Sequence, residues 1–509
     1  MKKTFILFSL LFLSIMLSGC SLLPTTTVTS DLGSYTQTST SLSISVKDED
    51  IYTSDYTVDD TITFSSSAVE SLSNLVTITG SMVLIGNEGT VNYLTDSSST
   101  YTASVIDSND DVTINGEGTL IIQSNSHNGI GVDDDFVITS GNIEIDAYNN
   151  GITVNNDFTM TGGTLSIVSG NDGIQVENLD DDLLGNILIS DGTFTISAYG
   201  DGMDASNVVA IYGGTFTISS GVGNSNITLV SGKGIKATKG INILGGTFTI
   251  SSADDSLHAN SDFYIQDGSL TLSSNDDGIH ADDTLIISGG TIDITKSYEG
   301  IESAYVTITG GTIKIKSSDD GINCAGGADS SSNWTNFDQV ENAMLTISGG
   351  YIYVNASGDG LDSNGNMQIS GGTILVSGPT DSSNGAIDYN GTFSISGGTL
   401  IAVGASGMAE NASSATNQAS IMINLSTTST SLIHLEDESG NMVIDFLPAK
   451  SYSSIVISSP SLSVGNTYKL YLGGSSSNLN SEGYANSGNY TYGTLNQSFT
   501  ISSNITNIG

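Results

Sequence analysis

The chain is poor in positive charge. It carries 11 basic residues, all of them lysine, against 54 acidic ones, for a net charge of -43. Nucleic acids and anionic lipid surfaces are therefore poor partners, because neutralising phosphates is what drives such binding. An acidic polysaccharide is opposed as well, unless cations lie between. Cysteine is nearly absent: Cys20 and Cys324 are the two, which excludes a disulfide framework. There are four prolines, and helix-like periodicity is almost missing. Beyond the first twenty residues no apolar run is long enough to span a bilayer.

Glycine is abundant, and its spacing carries the architecture. Gly129, Gly151 and Gly173 each follow Asp or Asn and precede Ile, 22 residues apart. The spacing returns at Gly234, Ser256, Gly278 and Gly300, and the series continues at Gly321, Gly360, Gly385 and Gly407. A fixed short period marks a solenoid whose coils bury their apolar residues against one another. Each coil reads as three short runs of β-branched residues separated by Asp-Gly or Gly-Gly. Pairs such as Gly162-Gly163, Gly289-Gly290 and Gly397-Gly398 are corners, since glycine adopts φ > 0 without steric cost. A 22-residue unit is too short for a βαβ crossover or a propeller blade. The expectation is an all-β, right-handed, single-stranded parallel β-helix over residues 111–426. An N-terminal β cap is expected at 48–110. A small C-terminal antiparallel β cap is expected at 427–509, where runs such as Val443-Ile444-Asp445-Phe446 alternate with Gly or Pro turns.

The first twenty residues read as an address. Lys2 and Lys3 precede an apolar run from Phe5 to Leu17, followed by Ser18-Gly19-Cys20. That is a secretory signal, and its end resembles a bacterial lipobox, which implies lipidation at Cys20. Residues 21–47, rich in Ser and Thr, read as a flexible tether. The expected place is the outer face of the cell membrane.

Stacking places the residue before each glycine in a column: Asp172, Asp201, Lys233, Asp255, Asp277, Glu299, Asp320, Asp359. A second row follows three residues later: Gln175, Asp204, Lys236, His258, His280, Glu302, Asn323, Asp362. Unit charges 4.8 Å apart repel by about 1 kcal/mol even in water, so an acidic ladder needs a remedy. Hard oxygen ligands on neighbouring coils suit Ca²⁺, with Asp254, Asp255, Asp276, Asp277, Glu299, Glu302, Asp319 and Asp320 as candidate ligands. The alternative is Asp used as a solvated turn former. Lys233, Lys236 and Lys239 interrupt the acids. Either they neutralise the column or one serves as the base of a uronate lyase, although abundant acids would raise its pKa. His258 and His280, without a third His or a Cys nearby, are expected to form a surface ladder rather than a zinc site. The long step from Gly321 to Gly360 implies a loop holding Trp334 and Phe337, whose rings suit stacking on a sugar face. Tyr298, Tyr389 and Tyr353 are weaker candidates for the same role.

Several of these motifs form a series: Lys233-Gly234-Ile235-Lys236-Ala237, Asp277-Gly278-Ile279-His280-Ala281, Tyr298-Glu299-Gly300-Ile301-Glu302, Gly358-Asp359-Gly360-Leu361-Asp362 and Gly385-Ala386-Ile387-Asp388-Tyr389. The series resembles the bacterial surface carbohydrate-binding β-helix family, similar in fold to family 9 pectate lyases. The resemblance covers residues 225–410 most closely. It implies a polysaccharide-binding module for cellulose or pectin-type chains, carrying calcium, with Asp359 and Asp362 on the binding face. The expected protein is a monomer tethered through Cys20, binding plant-type polysaccharide with Ca²⁺ assistance. A Ca²⁺-dependent lyase and a structural adhesin are the alternatives.

Overall fold

A computed structural model describes residues 103–221, 231–325 and 343–509, with strand segments and one turn between Thr26 and Asp96. Among the described residues there are strands and turns and no helix. The strands stack in parallel as three ladders. The first contains short strands such as Ile152–Val154, Ile174–Val176 and Met203–Ala205. The second contains Phe158–Met160, Ile187–Ile189 and Val208–Ile211. Longer strands form the third, among them Thr164–Ser169, Thr193–Ala198 and Thr215–Ser220. This is the expected parallel β-helix.

Alternation along each strand sends every second residue inward, and like stacks on like. Phe194, Phe216 and Phe248 form an internal stack with centroids 4.7 and 4.5 Å apart, close to the spacing of hydrogen-bonded strands. The predicted corners hold: Gly163, Gly290 and Gly398 have φ of +91°, +82° and +82°. The glycines of the Asp-Gly series have a different reason. An added Cβ at Gly300 would stand 2.3 Å from both the Gly321 carbonyl and Ile315 Cγ2, so the position is sterically closed.

The series needs one correction. Leu361 donates its N–H to the carbonyl of Ala386, and Gly360 donates to Gly385, so Ala386, not Gly385, stands in the glycine column. Gly407 packs against Ser382 instead. Two small residues side by side concealed a shift of one position.

At the C-terminal end the ladder direction reverses. Thr399–Gly404 pairs antiparallel with Tyr452–Ser459, which pairs antiparallel with Ala419–Ser429. Ile433–Asp437, Met442–Phe446, Thr467–Leu472 and Thr494–Thr500 form an antiparallel sheet over a core that includes Ile433, Phe446 and Tyr468. This is the expected cap. At the other end Ile51–Tyr52 already pairs in parallel with Ala68–Leu72, so coils begin before residue 111. Thr26–Ser30, Gly33–Thr38 and Ser41–Val46 pair antiparallel where a tether was expected, in keeping with the strand preference of their Thr, Val and Ile content. The signal segment with Cys20, and the loop holding Trp334 and Phe337, lie outside the described residues.

Candidate functional site

The first row lies where the sequence placed it, but its side chains are not solvated turn formers. Wherever the row residue is Asn or Asp, a side-chain oxygen accepts the backbone N–H of the same position in the next coil. Asn150 N–H reaches Asn128 Oδ1 at 3.1 Å and Asp201 N–H reaches Asp172 Oδ1 at 2.8 Å. Lys233 N–H reaches Asp201 Oδ1 at 2.7 Å, Asp277 N–H reaches Asp255 Oδ1 at 2.8 Å, and Asp359 N–H reaches Asp320 Oδ1 at 2.6 Å. Asp201 and Asp255 are 2% and 0% exposed. The row stitches coil to coil, which a turn former bonding its own backbone would not do.

Burial sets the charge state of the row. It pushes Asp172 up to about 7 and Asp320 up to about 8, with neighbouring carboxylates adding to the effect. Asp359 and Asp362 rise to about 6 and about 7 for the same reasons. Asp277 and Glu299 also sit well above the ordinary range, first from burial, then from Asp255 and Glu302 for Asp277 and from Glu302, Asp277 and Asp320 for Glu299. Asp255 goes the other way: burial would raise it, but His258 at 2.7 Å and Lys233 at 2.6 Å outweigh burial and hold it low.

The second row is in register as Gln175, Asp204, Lys236, His258, His280, Glu302, Asn323, Asp362 and Asp388. Its histidines are not a surface ladder. They are buried at 3% and 1% exposure and stacked 4.6 Å apart at 10°, with Nδ1 of each on Asp255 and Asp277. One nitrogen of each ring and an oxygen of Asp255 lie within 4.8 Å of one another, but parallel rings one coil apart keep their nitrogen lone pairs in separate planes, which disfavours a shared ion. Asp282 and Glu302 add contacts at 3.0 Å that hold His280 protonated despite its burial.

The lysines are spoken for. Lys233 is buried, its Nζ 2.6 Å from Asp255 and 3.1 Å from Asp254. Lys236 meets Asp204 at 2.9 Å and Asp201 at 3.6 Å; burial would lower its pKa, but these acids overcome burial and raise it. Lys239 meets Asp182 at 3.1 Å. Lys236 therefore lacks the lowered pKa that a Brønsted base needs, and Lys233 and Lys239 are held by carboxylates.

Carboxylate oxygens converge in several places. Asp254, Asp255 and Asp276 offer ligand atoms within 4.8 Å of one another, as do Asp359, Asp362 and Asp388. The first set is served by Lys233. Among the described residues no lysine or histidine forms an ion pair with the second set. Beside it, Asn323 donates to Glu299 at 2.8 Å, while its own Oδ1 is buried without a partner. Asn323 is in register with Asp362 one strand away, and an amide oxygen near three carboxylates suits a hard divalent cation. Asp319 carries the hydroxyl of Tyr298, which is 43% exposed, and this hydrogen bond raises the tyrosine's pKa. Tyr389 is not open for stacking: its hydroxyl donates to the Asn411 carbonyl at 2.9 Å and its ring packs edge-on to Phe393. Tyr353 packs against the C-terminal core. Asp388 went unseen in the sequence because the glycine column had been placed on Gly385; aligning Ala386-Ile387-Asp388 with Gly360-Leu361-Asp362 finds it.

The fold and face define a solenoid with an open, oxygen-rich surface, the form of an extended-ligand binder. A family model described as carbohydrate-binding domain-containing protein matches residues 40–278 and 267–419, and the chain belongs to that family. A solved structure described as a polysaccharide lyase-like protein from C. thermocellum, in a gadolinium derivative, is 24% identical over 44% of this chain and 88% of that one, with a TM-score of 0.25. No curated protein matches.

Proposed function

We propose that the protein is a binding module for plant-type polysaccharide, cellulose or pectin-like, held at the cell surface through a lipid on Cys20 and assisted by Ca²⁺. Family membership supports the ligand class. The observation that carries the calcium part is a redundancy in the first row. Asn128 and Asn150 accept the next coil's N–H just as the aspartates do, so stitching does not require a charge. Asp320 and Asp359 nevertheless place an ionisable carboxyl there, where burial raises the pKa to about 8 and about 6 and so resists ionisation. A cation held by Asp359, Asp362 and Asp388 with the Asn323 carbonyl would account for that cost, and would present positive charge to a uronate or a hydroxyl pair.

Binding is favoured over cleavage because Lys233, Lys236 and Lys239 are each engaged by a carboxylate. Co-sedimentation with cellulose and with calcium pectate, with and without chelator, tests the reading when the supernatants are also assayed for unsaturated sugars. Retention without product is the expected result. Release of unsaturated product would overturn it in favour of a lyase, and retention by neither glycan would sink it for these ligands.

A further inference from the structure

Away from the acidic triads, the long step between Gly173 and Gly202 builds a roofed recess. Its loop is closed on itself: Asn178 Oδ1 accepts the N–H groups of Asp180 and Asp181, and Asp181 Oδ1 accepts that of Leu183. It is also tied to later coils, with the Asp182 carbonyl accepting from Asn207 Nδ2 at 3.1 Å and Lys239 Nζ at 2.9 Å. Beneath it lies a recess of about 310 Å³ floored by Gln175, Asp204 and Lys236 of the second row. That volume is at the lower end of small-ligand sites, which run from about 300 to 1,000 Å³, and suits one sugar ring with its substituents. A chain lying along the second row would run into it.

We propose that this recess is a subsite for a neutral pyranose ring, an inference that rests on the carbohydrate-binding reading. The charge pattern selects neutrality. The two lysines are already matched by Asp204 and Asp182, and Glu177 and Asp181 also line the recess. A uronate carboxylate would meet uncompensated acids there. Sugar hydroxyls donate and accept at once, which fits acceptors such as Asp204 and Glu177 alternating with Lys236, Lys239 and Thr238 as donors. At the lip Leu179, 84% exposed, offers an apolar surface to the C–H face of a ring.

Titration calorimetry of the purified protein in chelator tests this, with cellotetraose, xylotetraose and mannotetraose as neutral probes and trigalacturonate as the acidic one. At least one neutral tetrasaccharide is expected to bind, and trigalacturonate is not. Lys239→Met and Leu179→Asp should each weaken the neutral ligand by about tenfold, the worth of one charged hydrogen bond or a lost apolar contact. Both side chains are exposed, so unchanged melting would show that the variants fold. If the protein sediments with polysaccharide but neither variant alters tetrasaccharide affinity, or if trigalacturonate binds and the variants weaken it, the subsite is refuted while the binding reading stands. If the protein binds no glycan in either assay, both fall together.

Discussion

Replacing Gly300 with Ser tests the packing rule of the whole rod, because the chain contains its own natural control. In the glycine column, the Cβ that Gly151, Gly234 or Gly300 lacks would strike Cγ2 of Ile167, Ile250 or Ile315 at 2.4, 2.5 and 2.3 Å. At Gly321 and Gly360 the obstacle is a Val Cγ1 at 2.2 Å. All these obstacles are branches on a β-carbon in the third ladder. The column departs from glycine at Ser256 and Ala386, and ladder register places Leu272 and Ala402 at the facing positions there. Neither has a branched β-carbon, so the space is open. Gly300→Ser alone should therefore cost about 2–3 kcal/mol by overpacking. Ile315→Leu alone conserves volume and should cost under about 1.5 kcal/mol. Combined, they recreate the Ser256–Leu272 pair, and denaturant melts should show the double variant more stable than the sum of the singles by about 1–2 kcal/mol. Strict additivity would refute the reasoning and leave the carbonyl of Gly321, also 2.3 Å from the added atom, as the controlling obstacle.

Lys233→Met should destabilise by about 3–5 kcal/mol, because it strips a partner from the fully buried Asp255; Lys233→Met with Asp255→Asn should recover much of the loss in the same melt. Asp172, raised to about 7 by burial, keeps its proton in the folded state where the unfolded chain has lost it. Its contribution is therefore complete below about pH 4 and is lost as pH rises through about 7, at about 1.4 kcal/mol per unit. Asp172→Asn should accordingly raise the melting temperature more at pH 8 than at pH 5, and an equal change at both would contradict the assignment. Ca²⁺ should raise the melting temperature, by an amount equivalent to about 2.7 kcal/mol at a hundredfold excess over Kd. Asp359→Asn with Asp362→Asn should abolish that gain without unfolding the rod in chelator, and an undiminished response would remove these residues from the cation site.

The parts of this fold legible in the sequence were those imposed on every coil alike. Glycine at a closed position, and Gly-Gly where φ reaches +82° to +106°, are demands of geometry that repeat with the period. What was not legible depends on where a side chain points after stacking. His258 is the middle residue of Leu257–Ala259 and His280 lies near the start of Ile279–Ile287, and nothing in their spacing says that Asp255 and Asp277 would bond the rings. The role of the row aspartates was obscured for a similar reason, since a turn-forming Asp and one that bonds the next coil occupy the same place before glycine. The overhanging loop was signalled by the long step to Gly202, but its recess arises from contacts to Asn207 and Lys239 on later coils, which period alone does not predict.

The three columns divide the work of the chain, and that division locates function. Sterics leave the glycine column almost no choice. In the first row Asn and Asp offer an oxygen to the next coil's N–H and Lys233 neutralises one, while Glu299 and Gly385 depart from the rule. The second row carries neither obligation, because strand hydrogen bonds already join its backbone. Its identities change coil by coil, from Gln175 through Lys236 and the two histidines to Asn323 and Asp362. The counterions change with them: lysine and histidine balance the acids up to Glu302, whereas Asp362 and Asp388 have no such partner among the described residues. Along the second row, acids are thus compensated as far as Glu302, and Asp362 and Asp388 form a stretch that is not. A long, repetitive ligand lying along the second row, such as the polysaccharide proposed above, would meet these differing side chains in sequence.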